Sequence, residues 1–352
     1  MSRSTAIAAA TLMVLLVACE GEATLFPTTS SPPSTTAPAP ATSTTTGTTT
    51  TSVQSLPDPI SADQTPVVSV AEREQGRWLI TWGPDWLAFG FDSLWVKRDN
   101  GTVVRIDPDT GDVQAEINLG PGLCQGIGVG LVVWACSRET SDGPVSLAQI
   151  DPSTNAVVAT YDVDKSSDQG RLLTVDDRVW VLSGGDRLLG VATDGTVSEP
   201  IELGMFCTDL ASDGVTLWVT CSAPGLVARV DLASGAVTDR IDLPRAWAAD
   251  LGEYLWVGFQ GGLAQIDPAS LEIVAFYDVR LGASGAVTEA GDSVWVRTAG
   301  SPTLARIDPA NHRFVEMIDV PELTSGGDVV VIDGSVWITF FDHQTLLRLS
   351  AE

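Results

Sequence analysis

Seven tryptophans recur at intervals of 38 to 46 residues: Trp95, Trp134, Trp180, Trp218, Trp256, Trp295 and Trp337. Each lies in a short apolar run, such as Ser93-Leu-Trp-Val96, Ser293-Val-Trp-Val296 or Ser335-Val-Trp-Ile338. A unit of that length made of strand-like pieces cannot bury its own apolar face, but stacked copies around an axis can. The pattern predicts an all-β fold, a seven-bladed β-propeller of four-stranded antiparallel blades. The indole is the expected filler of the gap between blades, burying about 150–250 Å² per ring. Residues 66–352 supply roughly 40 residues per blade, which leaves no length for a second domain.

A second signature follows most of the tryptophans. Arg105-Ile-Asp-Pro-Asp-Thr-Gly111 recurs at Gln149–Asn155, Arg229–Gly235, Gln265–Leu271 and Arg306–His312, with a relic at Ala192–Thr196. Asp bonds turn amides, Pro presets φ and Gly or Asn accepts positive φ, so each copy reads as a turn between the third and fourth strands, C and D. The run Asp107–Asp112 touches a calcium-loop pattern but lacks the ligand required before Gly, and its siblings are plain turns. Blade seven has strands around Ser335–Phe340 and Leu346–Ser350 and no outer strand after them. Arg77–Ile80, extended by Val67–Val70, is expected to pair with the last strand and close the ring.

Cys124 and Cys136 bracket the first two strands (A and B) of blade two; Cys207 and Cys221 do the same in blade four. In an oxidising compartment two disulfides are expected, Cys124–Cys136 and Cys207–Cys221, each worth about 3 kcal/mol by loop entropy. The N-terminus agrees with export. Arg3 precedes an apolar stretch from Ala6 to Ala18, which reads as a signal peptide over 1–18. Residues 19–65 form a Thr/Ser/Pro-rich linker without a core-forming residue in its central part, expected to be disordered and to reach about 40 Å as a coil or about 140 Å extended. The net charge of −26 argues against nucleic acid and anionic lipid as partners.

Propellers commonly bind at the channel mouth formed by the D–A and B–C loops. Nine residues before each repeat Trp, at the start of strand A, stand Trp86, Gln125, Arg171, Asp209, Trp247, Ala286 and Asp328. These positions vary while the framework repeats. With Trp82, Arg245 and His343 they form the expected ligand-binding rim, suited to a small molecule, a glycan or a protein side chain. His343 lies in the B–C loop of blade seven, on the same face as Asp328; His312 falls in a C–D turn on the opposite face. Asp209, Asp250, Glu289 and Asp328 are the weak candidates for holding Ca or Mg along the inner strands. No Ser-His-Asp set is readable, and no catalytic residue is assigned.

Two resemblances add to this. Leu16-Val-Ala-Cys19 resembles the lipobox of bacterial lipoproteins, which implies lipid modification of Cys19 and anchoring to the outer leaflet of the cytoplasmic membrane, at the cell surface. The unit Gly90-Phe-Asp-Ser-Leu-Trp-Val96 followed by Arg105-Ile-Asp-Pro-Asp-Thr-Gly111 resembles repeats of the seven-bladed streptogramin lyase (virginiamycin B lyase) propellers and of YVTN-type surface propellers. The resemblance covers about 86–350 and rests on framework residues. It implies the fold, and as an alternative function a divalent-metal-dependent lyase or lactonase-like activity. The lyases carry Glu after the Trp and a His at the inner strand; here the runs read Trp95-Val-Lys97, Trp218-Val-Thr220 and Trp295-Val-Arg297, so no lyase residue transfers. The leading expectation is a monomeric, lipid-anchored binding or scaffold propeller.

Overall fold

The computed structural model describes residues 50–52, 55–124, 126–140, 143–163, 171–282, 287–320 and 326–352; for Thr50–Ser52 it describes the backbone only. The signal segment, Cys19, Gln125 and Ala286 lie outside these residues. Seven antiparallel sheets follow one another along the chain, each with four strands in the order A-B-C-D. Blade one shows the plan: Pro84–Gly90 innermost, Ser93–Arg98 bearing Trp95, then Thr102–Ile106 and Val113–Asn118. Strand B of blade one is buried throughout, as expected for a strand covered on both faces. Its register places Trp95 opposite Arg105 of strand C.

Seven apolar clusters hold the ring, one per blade-to-blade interface, and each contains one repeat tryptophan. Trp256 of blade five, for example, joins Val287, Val294 and Ile307 of blade six. All seven repeat indoles are buried. A second layer covers several of them. Arg105, Arg229, Arg306 and Arg348 stand over the rings of Trp95, Trp218, Trp295 and Trp337 at 5.0–5.5 Å from guanidinium carbon to centroid. Three of these arginines donate through Nε to the strand-B serines Ser93, Ser293 and Ser335. Arg105 also donates to the Pro152 carbonyl of the next blade, and Arg348 to the Asp109 carbonyl of blade one.

The C–D turns form as predicted. Asp107 Oδ1 accepts from the amides of Asp109 and Thr110, and Asp267 Oδ1 from those of Ala269 and Ser270. The last turn residue is left-handed in every copy: Gly111, Asn155 and Gly235 suit that conformation, whereas Leu271 (φ 65°) and His312 (φ 47°) bear strain there. His312 Nδ1 lies 3.2 Å from Gln265 Oε1 within this framework, which makes it a turn residue.

Ring closure uses the N-terminal segment. Glu74–Leu79 pairs antiparallel with Thr345–Ser350 and completes blade seven, and Trp78 stacks on Trp337 with centroids 5.2 Å apart. The expected extension through Val67–Val70 takes a different partner. Val67–Ser69 runs parallel to Arg313–Asp319 of blade six. The capped 3₁₀ turn Val70–Glu72 then carries the chain across to blade seven. Strand pairing also begins before residue 66: Ile60–Ser61 joins the outer strand of blade five and Thr50–Ser52 that of blade four, both parallel. The linker expected over 19–65 is therefore engaged with the blades over its last part. Outer strands expose unpaired amides and carbonyls, which these short segments pair, and Ile60 and Val68 add packing against the blade clusters.

Both disulfides are present, Cys124–Cys136 and Cys207–Cys221. All four half-cystines are buried, and the second bridge ties directly opposed residues of strands A and B. Two bridges point to an oxidising, extracytoplasmic compartment.

Candidate functional site

The starts of the inner strands converge on the channel mouth, and the residues there are charged. Arg171 enters from blade three. Its Nε lies 3.4 Å from Asp209 of blade four and its Nη1 3.7 Å from Asp250 of blade five. Asp328 of blade seven also acts on it electrostatically. Burial opposes the charge on Arg171, but the three carboxylates outweigh that and hold the guanidinium more firmly charged than usual.

Each of these carboxylates also bonds the neighbouring blade. Asp209 Oδ2 accepts from the Ala249 amide, Asp250 Oδ2 from that of Glu289, and Asp328 Oδ2 from that of Leu87, at 2.7–3.0 Å. Asp209 and Asp328 use their other oxygen on the amide of their own next residue. Gly327 (φ 141°) makes the approach possible, since a Cβ there would sit 2.2 Å from the Thr339 carbonyl. The residues expected to line a ligand site thus staple one inner strand to the next.

Placement of the remaining rim residues divides them. Trp86 is buried at 2% exposure in the interface of blades one and two, beneath the Arg171 guanidinium at 5.5 Å. It is not the exposed platform expected from the sequence, because the strand bulges between Pro84 and Leu87 and turns it into the core. Trp82, at 65% exposure, and the half-buried Trp247 do reach the mouth face. His343 is exposed in the B–C turn of blade seven, and both Asp328 oxygens are already occupied by the Leu87 and Val329 amides. Glu289 turns away from the other three carboxylates: it accepts from the amides of Glu253 and Tyr254 and from Trp256 Nε1. Among the described residues no group of three or more His, Cys, Asp or Glu is arranged to hold a metal ion, so the four carboxylates proposed for Ca or Mg do not form a ligand set.

Three further charged residues were missed as channel groups by the sequence reading. Lys97 and Arg297, two positions after the Trp of blades one and six, are buried, as is much of Asp85. The Lys97 Nζ donates to the Arg98 carbonyl at 2.7 Å, and the Arg297 guanidinium lies 4.8 Å over Phe340. The signal was present in Trp95-Val-Lys97 and Trp295-Val-Arg297: an inner-facing strand-B position carrying charge in an otherwise apolar run.

Burial pushes several of these groups off their ordinary values. Asp328 rises to about 7, with Arg171 and its two amide donors pulling the other way. Asp250 rises to about 6 for the same main reason. Asp85 rises to about 7 through burial and then the charge of Asp99. Burial lowers Lys97 to about 8. Between about pH 4 and 7 the folded chain binds more protons at Asp85, Asp250 and Asp328 than the unfolded chain does, so stability rises as pH falls through that window. The turn aspartates oppose this at lower pH. Their values are depressed by amide and side-chain hydrogen bonds, and their contribution is lost as pH drops below about 4. We expect the highest Tm by calorimetry near pH 5 and a shallower slope between pH 5 and 8 in Asp328→Asn. A Tm that climbs from pH 5 to pH 8 is the contrary result.

Two open concavities lie off the axis on this face. One of about 460 Å³ sits over blade five, walled by Trp247, Phe259 and Leu281. Another, of about 710 Å³, lies between blades seven and one beside Trp82, Phe341 and Gln344.

No protein-family model matches the chain, and no curated protein sequence matches it. Solved structures share its fold at low identity. The streptogramin B lyase structure aligns over 79% of this chain and 96% of its own, with TM-score 0.58 and 16% identity. Hydrazine synthase of Kuenenia stuttgartiensis aligns over 76% and 95%, with TM-score 0.57 and 15% identity. The Cps50 (Swd1) β-propeller domain of Myceliophteria thermophila aligns over 79% and 99%, with TM-score 0.65 and 13% identity. The chain is thus similar in fold to a lyase, to a synthase and to a propeller domain, and the likeness defines a seven-bladed β-propeller.

Proposed function

We propose that the chain is an exported, lipid-anchored propeller that binds a ligand or partner on its mouth face, off the channel axis. One observation carries the reading. The axial charges are spent on each other and on stapling inner strands, whereas Trp82 and Trp247 border open clefts on that same face. Aromatic walls beside polar groups are common in binding pockets. Export is supported by the two disulfides, and anchoring at Cys19 by the apolar stretch that ends in Leu16-Val-Ala-Cys19. A metal-dependent lyase would need axial carboxylates that here hold amides of the adjoining blade.

The test is a calorimetric screen of glycans, peptides and small acids on the full-length chain, with Trp82→Ala and Trp247→Ala as comparators. Trp82→Ala should keep its Tm within about 2 °C, as surface truncations do. Trp247→Ala should lose somewhat more, because the half-buried ring packs on the cluster between blades five and six. One of the two should lose binding of a ligand that the parent holds. Binding untouched in both variants would overturn the reading. Cys19→Ala should shift the protein from the membrane fraction to the soluble one.

A further inference from the structure

Resting on mouth-face binding, the geometry of the blade-five cleft points to one ligand class: a singly charged carboxylate carrying an apolar ring or chain. The floor of the cleft is apolar. Phe259, Val279 and Leu281 line it and are all buried, at 2%, 7% and 6% exposure. Trp247 stands half-buried along one side. At about 460 Å³ the cleft lies within the range typical of small-molecule pockets.

The rim is cationic. Arg245 and Arg280 sit on the D–A connections at either side of blade five, and both line the cleft with exposed side chains. That pairing is unusual for this chain, which has 19 Lys and Arg against 45 Asp and Glu. With acids in such excess, most arginines elsewhere find partners, as Arg73 does in Glu316, Arg98 in Glu116 and Arg313 in Asp308, and Arg240 is an exception. Among the described residues neither the Arg245 nor the Arg280 guanidinium has a hydrogen-bond or ion-pair partner, although the Arg280 carbonyl accepts from the Ala299 amide. Arg245 moreover occupies a left-handed backbone position (φ 52°), where a residue with a Cβ is held at some conformational cost.

Two unpaired guanidinium forks above an apolar floor match a ligand with an anionic head and a hydrophobic body. Arg prefers planar oxyanions that accept two parallel N–H bonds, which carboxylates supply. The overall charge of −26 selects further, because each added negative charge on a ligand raises its repulsion by the rest of the surface. A monoanion gains the two arginines at the smallest long-range cost, and a phosphate dianion meets twice the repulsion.

The probe is 2-naphthoate, titrated calorimetrically into the full-length chain at low salt, beside neutral 2-naphthamide and dianionic 2-naphthyl phosphate. The acid should bind at least about tenfold tighter than either. Arg245→Gln and Arg280→Gln should each weaken the acid about tenfold and leave the amide unchanged, with Tm preserved. Trp247→Ala should weaken acid and amide together. Equal binding of acid and amide, undiminished binding by both Gln variants, or tighter binding of the phosphate would each overturn the assignment. If 2-naphthoate fails while another ligand shows Trp247-dependent binding, the carboxylate falls and mouth-face binding stands. If Trp82 and Trp247 matter to no ligand, the broader reading falls as well.

Discussion

Arg171→Met is expected to cost about 3–5 kcal/mol at pH 8, the usual penalty for stranding buried partners of an ion pair. The side chain reaches from blade three to carboxylates of blades four and five and feels that of blade seven, so it is the counterion of three inner strands at once. Methionine keeps most of its length and its packing over Trp86 while removing the charge. Asp209, Asp250 and Asp328 would then face one another with only amide donors to offset their burial. Their affinity for protons would rise further, so the variant should recover stability as pH falls. Urea unfolding of parent and variant at pH 8 and pH 5 reads both parts: a gap of several kcal/mol that narrows in acid. A gap below about 1 kcal/mol, or one that does not change with pH, would remove Arg171 from the role of shared counterion.

The framework was legible because its physics is local or strictly periodic. A bulky ring every 38 to 46 residues, an Asp placed to catch two turn amides, and cysteines flanking one hairpin each act within a blade and repeat with it. Closure by Glu74–Leu79 followed from the missing outer strand of blade seven. What escaped were relations between blades. The arginine of the Arg-Ile-Asp signature was visible as part of a turn motif, but its position over the strand-B indole depends on cross-strand register. The parallel additions at Val67–Ser69, Ile60–Ser61 and Thr50–Ser52 depend on which outer edges stand open, and composition gives no hint of that. At the mouth, counting back nine residues found Arg171, Asp209 and Asp328 correctly as a set drawn together. It could not tell a residue facing solvent from one turned by a bulge, which is why Trp86 was misplaced and Trp247 was not. Arg280 escaped because it lies in a connection outside the counted position.

The repeat tryptophans should differ in worth, and Trp256 should be among the most costly to truncate. It is fully buried, lies 5.8 Å from Tyr277 and 6.4 Å from Tyr254 between ring centroids, and donates through Nε1 to Glu289 of the next blade at 2.5 Å. Trp256→Ala opens a cavity between blades five and six that strands on both sides hold rigidly, for about 3–5 kcal/mol. It also takes a donor from Glu289, though the two amide donors of that carboxylate persist. Trp256→Phe narrows the comparison: it keeps a six-membered ring, loses the N–H and leaves a much smaller cavity than Ala, so it should cost about 1–3 kcal/mol. Trp180 is the contrast. Its blade has an outer strand of only two residues, Gly190 lies opposite it, and clefts of about 530 and 560 Å³ already border its ring. Relaxation is easier there, and Trp180→Ala should be milder by at least about 1 kcal/mol. Equal losses for Trp256→Ala and Trp180→Ala in chemical denaturation would show that these two indoles act as interchangeable spacers, and that the cross-blade bond to Glu289 adds nothing.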